Sequence, residues 1–477
     1  MTSVNTRVEQ DPLGEVMVPA EALYGAQTMR AVQNFPISGL RPLEPFIIAQ
    51  VWIKKAAALT HRETGRLDAS RADAIIAAAD EVLGGKHFDQ FIVDPYQAGA
   101  GTSHNMNVNE VLANRANEML GATRGTYAPV HPNDHVNMAQ STNDTIPTNI
   151  RLAVLRQLPA LLAAIDALNG QLREKATAFD GIVKAGRTHL QDAMPIRLGQ
   201  EFAAYAGTLA RCRKRLVEAA DYLNDLGIGG SAVGTGVTVE PAYPALMNAH
   251  LKTISGIPTL RVGADRIQLM QSMGDAAAFS ASLRGLAIDL SKIASDLRLM
   301  ASGPRTGLDE IVLPAVQPGS SIMPGKVNPS IPEMVNQVCF QVIGCDTTVA
   351  IAAEHGQLEL NVMMPVLAHN VLLSMQILTN AIGVFSDRCV RGIQANAAMC
   401  EYWVERSAAL ATALVPQIGY AAAAAISKRS VREGTLIRDL ITRDGILQPD
   451  EIASVLDLRR MTDIGVPTDR HEAGAGG

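Results

Sequence analysis

Six apolar residues, Leu283, Leu286, Leu290, Ile293, Leu297 and Met300, recur at spacings of 3, 4, 3, 4 and 3, and this seam constrains the fold more than any other feature. The repeat puts all six on one stripe of a helix, the pattern of helices packed side by side along their length. Gly303-Pro304 closes the run, because proline cannot continue a helix and glycine caps one without strain. The pattern predicts a single helix over 265–302, about 57 Å long at the α-helical rise. A helix several times the usual globular length needs partners throughout, so a multi-subunit bundle is expected. Four further stretches, 145–180, 196–226, 331–356 and 361–395, also read as long helices. Pro159 is expected to kink or break the first of them.

Composition agrees with helices. Apolar residues reach 47% while aromatics are 4%, the diet of packed helices rather than of β-sandwiches. The expected fold class is all-α, with a central bundle of five long helices per subunit and smaller N- and C-terminal domains. The expected domains are 1–141 (mixed helix and loop), 142–395 (long helices) and 396–477 (small and helical, with a disordered tail from His471). Charged residues, at 18%, are sparse for a monomer of this size, which suggests surface buried between subunits.

The net charge of -6 offers no basic face for nucleic acid, and no Lys/Arg run suggests a membrane surface. An anionic substrate must then be drawn by a local site. Cys212, Cys339, Cys345, Cys389 and Cys400 form no C-x-x-C pair and read as buried hydrophobes in a reducing compartment. The opening MTSVNTRVEQD lacks an apolar signal core. The longest apolar stretch, taken as 412–426, is interrupted by Pro416, Gln417 and Gly419. A soluble, cytoplasmic protein is expected.

Four polar, glycine-rich segments that no core requires fall at predicted helix ends: GAGTSHNMN (99–107), QSTND (140–144), GRTHLQD (186–192) and GSSIMPGKVNP (319–329). In the second, one residue suffices as a helix cap. Ser141, Thr142, Asn143 and Asp144 together also offer N–H and hydroxyl donors at a positive helix end, a ready anion site. His189, after Thr188, is open to a structural or a proton-handling role. Glu333 is a possible partner for it, yet Ser330-Ile-Pro-Glu333 also fits a capping box.

The fourth segment pairs Ser320 and Ser321 between two glycines, with Lys326 and Asn328 beyond. A P-loop needs four residues between its glycines and Ser/Thr after the lysine. Here there are five, and Val327 follows. A Ser-Lys hydrolase is conceivable, but no G-x-S-x-G elbow surrounds the serines. Gly227–Gly236 lacks G-x-G-x-x-G spacing and no strand is expected before it, which argues against a dinucleotide. No H-E-x-x-H or Cys/His cluster points to a metal. No cofactor is expected.

Together and in order, the four segments resemble the aspartase/fumarase superfamily, whose fingerprint is GSSIMPGKVNP. The resemblance runs from Arg7-Val-Glu-Gln-Asp-Pro-Leu-Gly14 and Tyr24-Gly-Ala-Gln-Thr28, through Ser302-Gly-Pro-Arg305, into the C-terminal region. It implies a homotetrameric lyase acting on a small dicarboxylate, L-aspartate or fumarate, with each active site shared among three subunits. Ser103, Thr142 and Gly356-Gln-Leu-Glu-Leu-Asn-Val362 are similar to the branch that releases ammonia. His131-Pro-Asn-Asp134 resembles a second anion site of the branch that adds water, and Met364 and Val237-Thr238 depart from the ammonia branch's usual residues.

By the same resemblance Ser320 is the general base, acting as an alkoxide, and Lys326 and His189 join it as catalytic residues. Thr102, Ser141, Thr142 and Ser321 would hold the carboxylate that gains charge. Lys326 and Asn328 would hold the other carboxylate. Asn143, Thr188 and His189 would meet the leaving group or the carboxylate beside it, with Glu333 behind His189. A serine unassisted is far too weak a base, so nearby positive dipoles and loop closure must lower its proton affinity.

Overall fold

A computed structural model describes residues 5–465; the tail from His471 lies outside them. The chain is 62% helical, and among the described residues the strands form only two-stranded pairs. The all-α expectation is met. Hairpin β1 (Thr6–Asp11) and β2 (Gly14–Pro19) precedes α1 (Glu44–Glu63), α2 (Ala69–Leu83) and α3 (Thr102–Met119). The long helices are α4 (Thr142–Ala178), α5 (Leu198–Asp221), α6 (Gly274–Met300), α7 (Ser330–Glu354) and α8 (Met364–Arg388). A second hairpin, β3 (Val183–Thr188) and β4 (Gln191–Arg197), lies between α4 and α5 in sequence.

Two compact units emerge. One gathers the chain up to Ala163 with Cys212–Ile288 and Val338–Asn380; the other gathers Ala164–Arg211, Asp289–Gln337 and the chain from Ala381. In the first, Val51, Ala58, Ile75, Ala78, Val108, Val111 and Leu112 bring α1, α2 and α3 into one apolar core. In the second, Leu410, Leu414, Ile437, Leu440, Ile441 and Ile452 form a C-terminal core.

All six seam residues of α6 are buried, as a stripe facing other helices must be. The helix is nevertheless shorter than 265–302. Arg266–Gln271 is a separate helix, and Ser272 is extended (φ -105°, ψ 126°). The Ser272 hydroxyl accepts the Gly274 N–H at 3.2 Å and starts α6 afresh, the local competition by which serine interrupts helices. Pro159 does not break α4, which runs on through both Pro147 and Pro159. Long apolar windows also lie in the helices Thr142–Ala178 and Met364–Gly392. Both are long and apolar enough to cross a bilayer, yet α4 carries a buried Arg151 paired with Asp275 at 2.8 Å. That is a helix packed against protein. All five cysteines are buried, and none is in a disulfide.

Candidate active site

Thr102 and Ser141–Asn143 belong to the first unit; Thr188, His189 and the 319–329 loop belong to the second.

Helix α3 begins at Thr102 because Ala100 and Gly101 turn the chain with φ +62° and +84°. A Cβ at Gly101 would crowd the Ile146 side chain at 3.1–3.2 Å. The Ala100 N–H reaches the Val362 carbonyl at 2.9 Å. The Thr102 hydroxyl donates back to the Gly99 carbonyl at 3.2 Å.

At the start of α4, Ser141 is the cap. Its Oγ accepts the Asn143 N–H at 3.2 Å, and its own N–H donates to Asp144 Oδ1 at 3.0 Å, so serine and aspartate satisfy the helix start between them. Asp144 is fully buried, and its other oxygen accepts the N–H groups of Gly229 and Ser231 at 2.9 and 3.0 Å. The glycine-rich 227–236 segment therefore does bind an anion: the chain's own Asp144 carboxylate. A two-residue strand, Asp225–Leu226, does precede it, contrary to expectation, but it is one rung of a parallel pair with Arg261–Val262. Burial pushes the Asp144 carboxyl up to about 6 against those N–H donors and the Lys54 charge. The Asn143 amide donates to the Ala232 carbonyl at 2.8 Å, which ties the same segment to the helix start.

Beneath this helix start lies a polar layer that the sequence did not reveal. Lys54 is fully buried and donates to Asn137 Oδ1 and Gln140 Oε1. Burial, against the pull of Asp144, lowers its ammonium to about 7. Gln50, Asn105 and Asn149 complete the layer through side-chain amide bonds, and Asn105 reaches the Thr142 hydroxyl. Lys54, Gln50 and Asn149 sit among apolar helix neighbours; polar side chains where a core stripe is expected were the signal available.

In the second unit, β3 and β4 are joined through His189 and Leu190, both left-handed (φ +56° and +58°). Two such residues make the tight turn that matches hairpin twist. Thr188, His189 and Leu190 are exposed at this tip. The hairpin is braced at its base. Glu310, wholly buried, meets Lys184 at 3.1 Å and Arg187 at 2.8 Å, and Lys184 also meets Glu201 at 3.0 Å. The register shifts between Ala185 and Arg187. There Gly186 leaves no room for a Cβ, which would lie 2.5 Å from the Met194 carbonyl oxygen.

The loop is held by its own backbone. Gly319 N–H donates to the Lys326 carbonyl at 2.8 Å, and the Asn328 amide donates to the Gly319 carbonyl at 2.7 Å. Asn328 is thus spent partly on closing the loop's neck. Gly325 turns it at φ +79°. Ser320 Oγ accepts two backbone N–H groups, from Ile322 at 3.2 Å and Met323 at 3.0 Å. Those dipoles point positive charge at the Ser320 oxygen and would lower its proton affinity. Ser320 is half-buried, whereas Ser321 and Lys326 are exposed and Ile322 is 83% exposed.

The Glu333 carboxylate makes no hydrogen bond or ion pair with His189 or Ser330 among the described residues; the Ser330 hydroxyl instead donates to the Asn328 carbonyl at 3.4 Å. Met364 is buried, while Val237 is exposed and Thr238 is left-handed at φ +67°. Among the described residues no three His, Cys, Asp or Glu side chains gather as a metal site needs.

Residues 14–344 match the family model described as lyase, and 410–463 match one described as fumarase C C-terminus. The aspartate ammonia-lyase of Bacillus subtilis is 49% identical over 96% of this chain and 97% of its own length. Relatives of that name recur at 45–49% identity. A class II fumarate hydratase from Halobacterium salinarum is 48% identical over 97% of this chain and 98% of its own. Among solved structures, a fumarate lyase:delta crystallin from Brucella melitensis, bound to cobalt, superposes with TM-score 0.93 at 47% identity, covering 96% of this chain and all of that one.

Proposed function

The chain belongs to the lyase family, and on that premise we propose that it is a carbon–nitrogen lyase catalysing the reversible elimination of ammonia from L-aspartate to give fumarate. The observation that carries this reading is the pair of backbone N–H groups on Ser320 Oγ. They stabilise an alkoxide without calling on a neighbouring charged side chain.

Ser320 takes the Cβ proton and becomes neutral. The electron pair left behind spreads into the adjacent carboxylate as an aci-carboxylate, which carries two negative charges. Thr102, Ser141, Thr142 and Ser321 donate to it, each preorganised donor being worth about 2.7–4 kcal/mol in such sites. Lys326 and Asn328 hold the other carboxylate. The pair then returns to form the double bond as the Cα–N bond breaks and ammonia leaves. Asn143, Thr188 and His189 meet the departing amine. Ser320 finally gives its proton to solvent. Closure of the loop would exclude water and bring Ser321 and Lys326 out of solvent. Working as a cytoplasmic homotetramer, the enzyme completes each site with residues of different subunits, so the active species has the mass of four chains.

The second reading is fumarate hydration. It is favoured by the segment His131–Asp134, where the His131 ring nitrogen accepts the N–H groups of Asn133 and Asp134, both at 3.2 Å, and by the hydratase relative. Fumarate consumption with ammonia, with other amines and with water alone decides between them. Fast loss of fumarate only when ammonia is present supports the proposal; malate formed from water at a comparable rate overturns it.

A further inference from the structure

A chain of side-chain amides ends on the Thr142 hydroxyl, and a buried ammonium sets its direction. As an ammonium Lys54 only donates, and the Asn137 nitrogen is already given to the Gln140 carbonyl at 3.2 Å. The Asn137 atom facing it at 2.8 Å is therefore the oxygen. That oxygen also lies 3.3 Å from the Asn105 amide group, so Asn105 turns its nitrogen that way. The second proton of Asn105 Nδ2 goes to Thr142 Oγ1, likewise at 3.3 Å. Asn105 Oδ1 is left to accept, and it does so from Gln50 Nε2 at 2.8 Å, while Gln50 Oε1 accepts from Asn149 Nδ2 at 3.0 Å. Gln50, Asn105 and Asn149 are all buried, so water cannot substitute for a wrong partner. Turning any one amide around would set nitrogen against nitrogen or oxygen against oxygen. The polarity runs one way, Asn149 to Gln50 to Asn105 to Thr142, and each bond strengthens the next.

Thr142 Oγ1 thus receives a hydrogen bond, and its own proton finds no acceptor among the described residues. The side chain is only half-buried at the first turn of α4. We infer that Lys54 and Asn105 are positioning residues that hold the Thr142 hydroxyl as a donor, aimed at the substrate carboxylate on which negative charge develops. This rests on the proposed reading that Thr142 touches that carboxylate. A hydroxyl left free to rotate would present a lone pair as readily as a proton. Fixing it beforehand removes that reorganisation from the reaction step.

The test is a double-mutant cycle on fumarate formation from L-aspartate, with thermal unfolding measured on every variant. Thr142→Val deletes the hydroxyl. Asn105→Asp replaces the donor by an acceptor of the same shape, so that the Thr142 proton turns inward. Thr142→Val is expected to lower kcat/KM about 10²–10³-fold, mainly through kcat, since the charge belongs to the transition state. Asn105→Asp alone is expected to cost about tenfold or more. In the Thr142→Val background it should change kcat/KM by less than about threefold. An Asn105→Asp penalty equally large with and without the hydroxyl overturns the inference while leaving the Thr142 contact intact. Wild-type kcat/KM in Thr142→Val overturns the underlying reading and the inference with it. If Asn105→Asp does not fold, Lys54→Met enters the same cycle: a penalty lost in the Thr142→Val background supports the inference, and an undiminished one overturns it.

Discussion

Glu310→Gln removes the single negative charge that Lys184 and Arg187 share. The carboxylate is wholly buried, 3.1 Å from Lys184 Nζ and 2.8 Å from Arg187 Nη1. Deleting one member of a buried ion pair costs about 3–5 kcal/mol, because the other charge is stranded. Two features place this case at the low end. Lys184 retains Glu201 at 3.0 Å and the Ala185 carbonyl at 3.3 Å. Arg187 is 16% exposed and also reaches the Ala185 carbonyl, so part of its hydration survives. A loss of about 3 kcal/mol follows. Glu201→Gln, at a side chain 20% exposed, should cost about 1 kcal/mol. Urea unfolding at fixed protein concentration measures both, and steady-state kinetics reports whether Thr188 and His189, at the tip of the same hairpin, are displaced. Glu310→Asp should recover part of the loss. If Glu310→Gln unfolds within about 0.5 kcal/mol of wild type, or Glu201→Gln costs more, Lys184 is satisfied by Glu201 and the bracing argument fails.

Ser320→Ala should abolish nearly all turnover while aspartate still binds, as isothermal titration would show; substantial residual kcat would identify another base. Gly186→Ala forces a Cβ to within 2.5 Å of the Met194 carbonyl oxygen, so the bulge must shift and kcat should fall along with about 1–3 kcal/mol of stability. Unchanged kcat would show that the tip does not depend on the bulge. Lys54 has a folded value of about 7 against an ordinary 10.5, lowered first by burial. Between those limits the unfolded chain binds more protons, so stability rises with pH by up to about 1.4 kcal/mol per unit, and the contribution is lost as pH falls through 7. Lys54→Met should flatten that slope in denaturation midpoints measured from pH 7 to 10. Parallel wild-type and variant profiles would refute it.

Much of this was legible in the sequence, and the reason differs from element to element. The α6 seam could be read because helical periodicity is local, and the 319–329 segment because its glycines, serines and lysine are contiguous. The break at Ser272 escaped, since a serine hydroxyl capturing Gly274 N–H leaves no trace in an apolar count. Asp144 looked like one more capping residue. Its second set of donors comes from Gly229 and Ser231, some 85 residues on, and the same distance disguised the glycine-rich segment as a loop without a task. Lys54 and Glu310 were invisible for a related reason: a buried charge is identified by what surrounds it, and its surroundings are brought together only by the fold.

The two amides on Ser320 carry one more consequence. A backbone N–H is supplied by every residue except proline, so the strength of the base proposed at Ser320 is indifferent to which side chains occupy 322 and 323. Substitution there can reshape what the loop touches while proton abstraction stays the same. A scaffold built this way can change its leaving group over evolutionary time without reinventing its first chemical step.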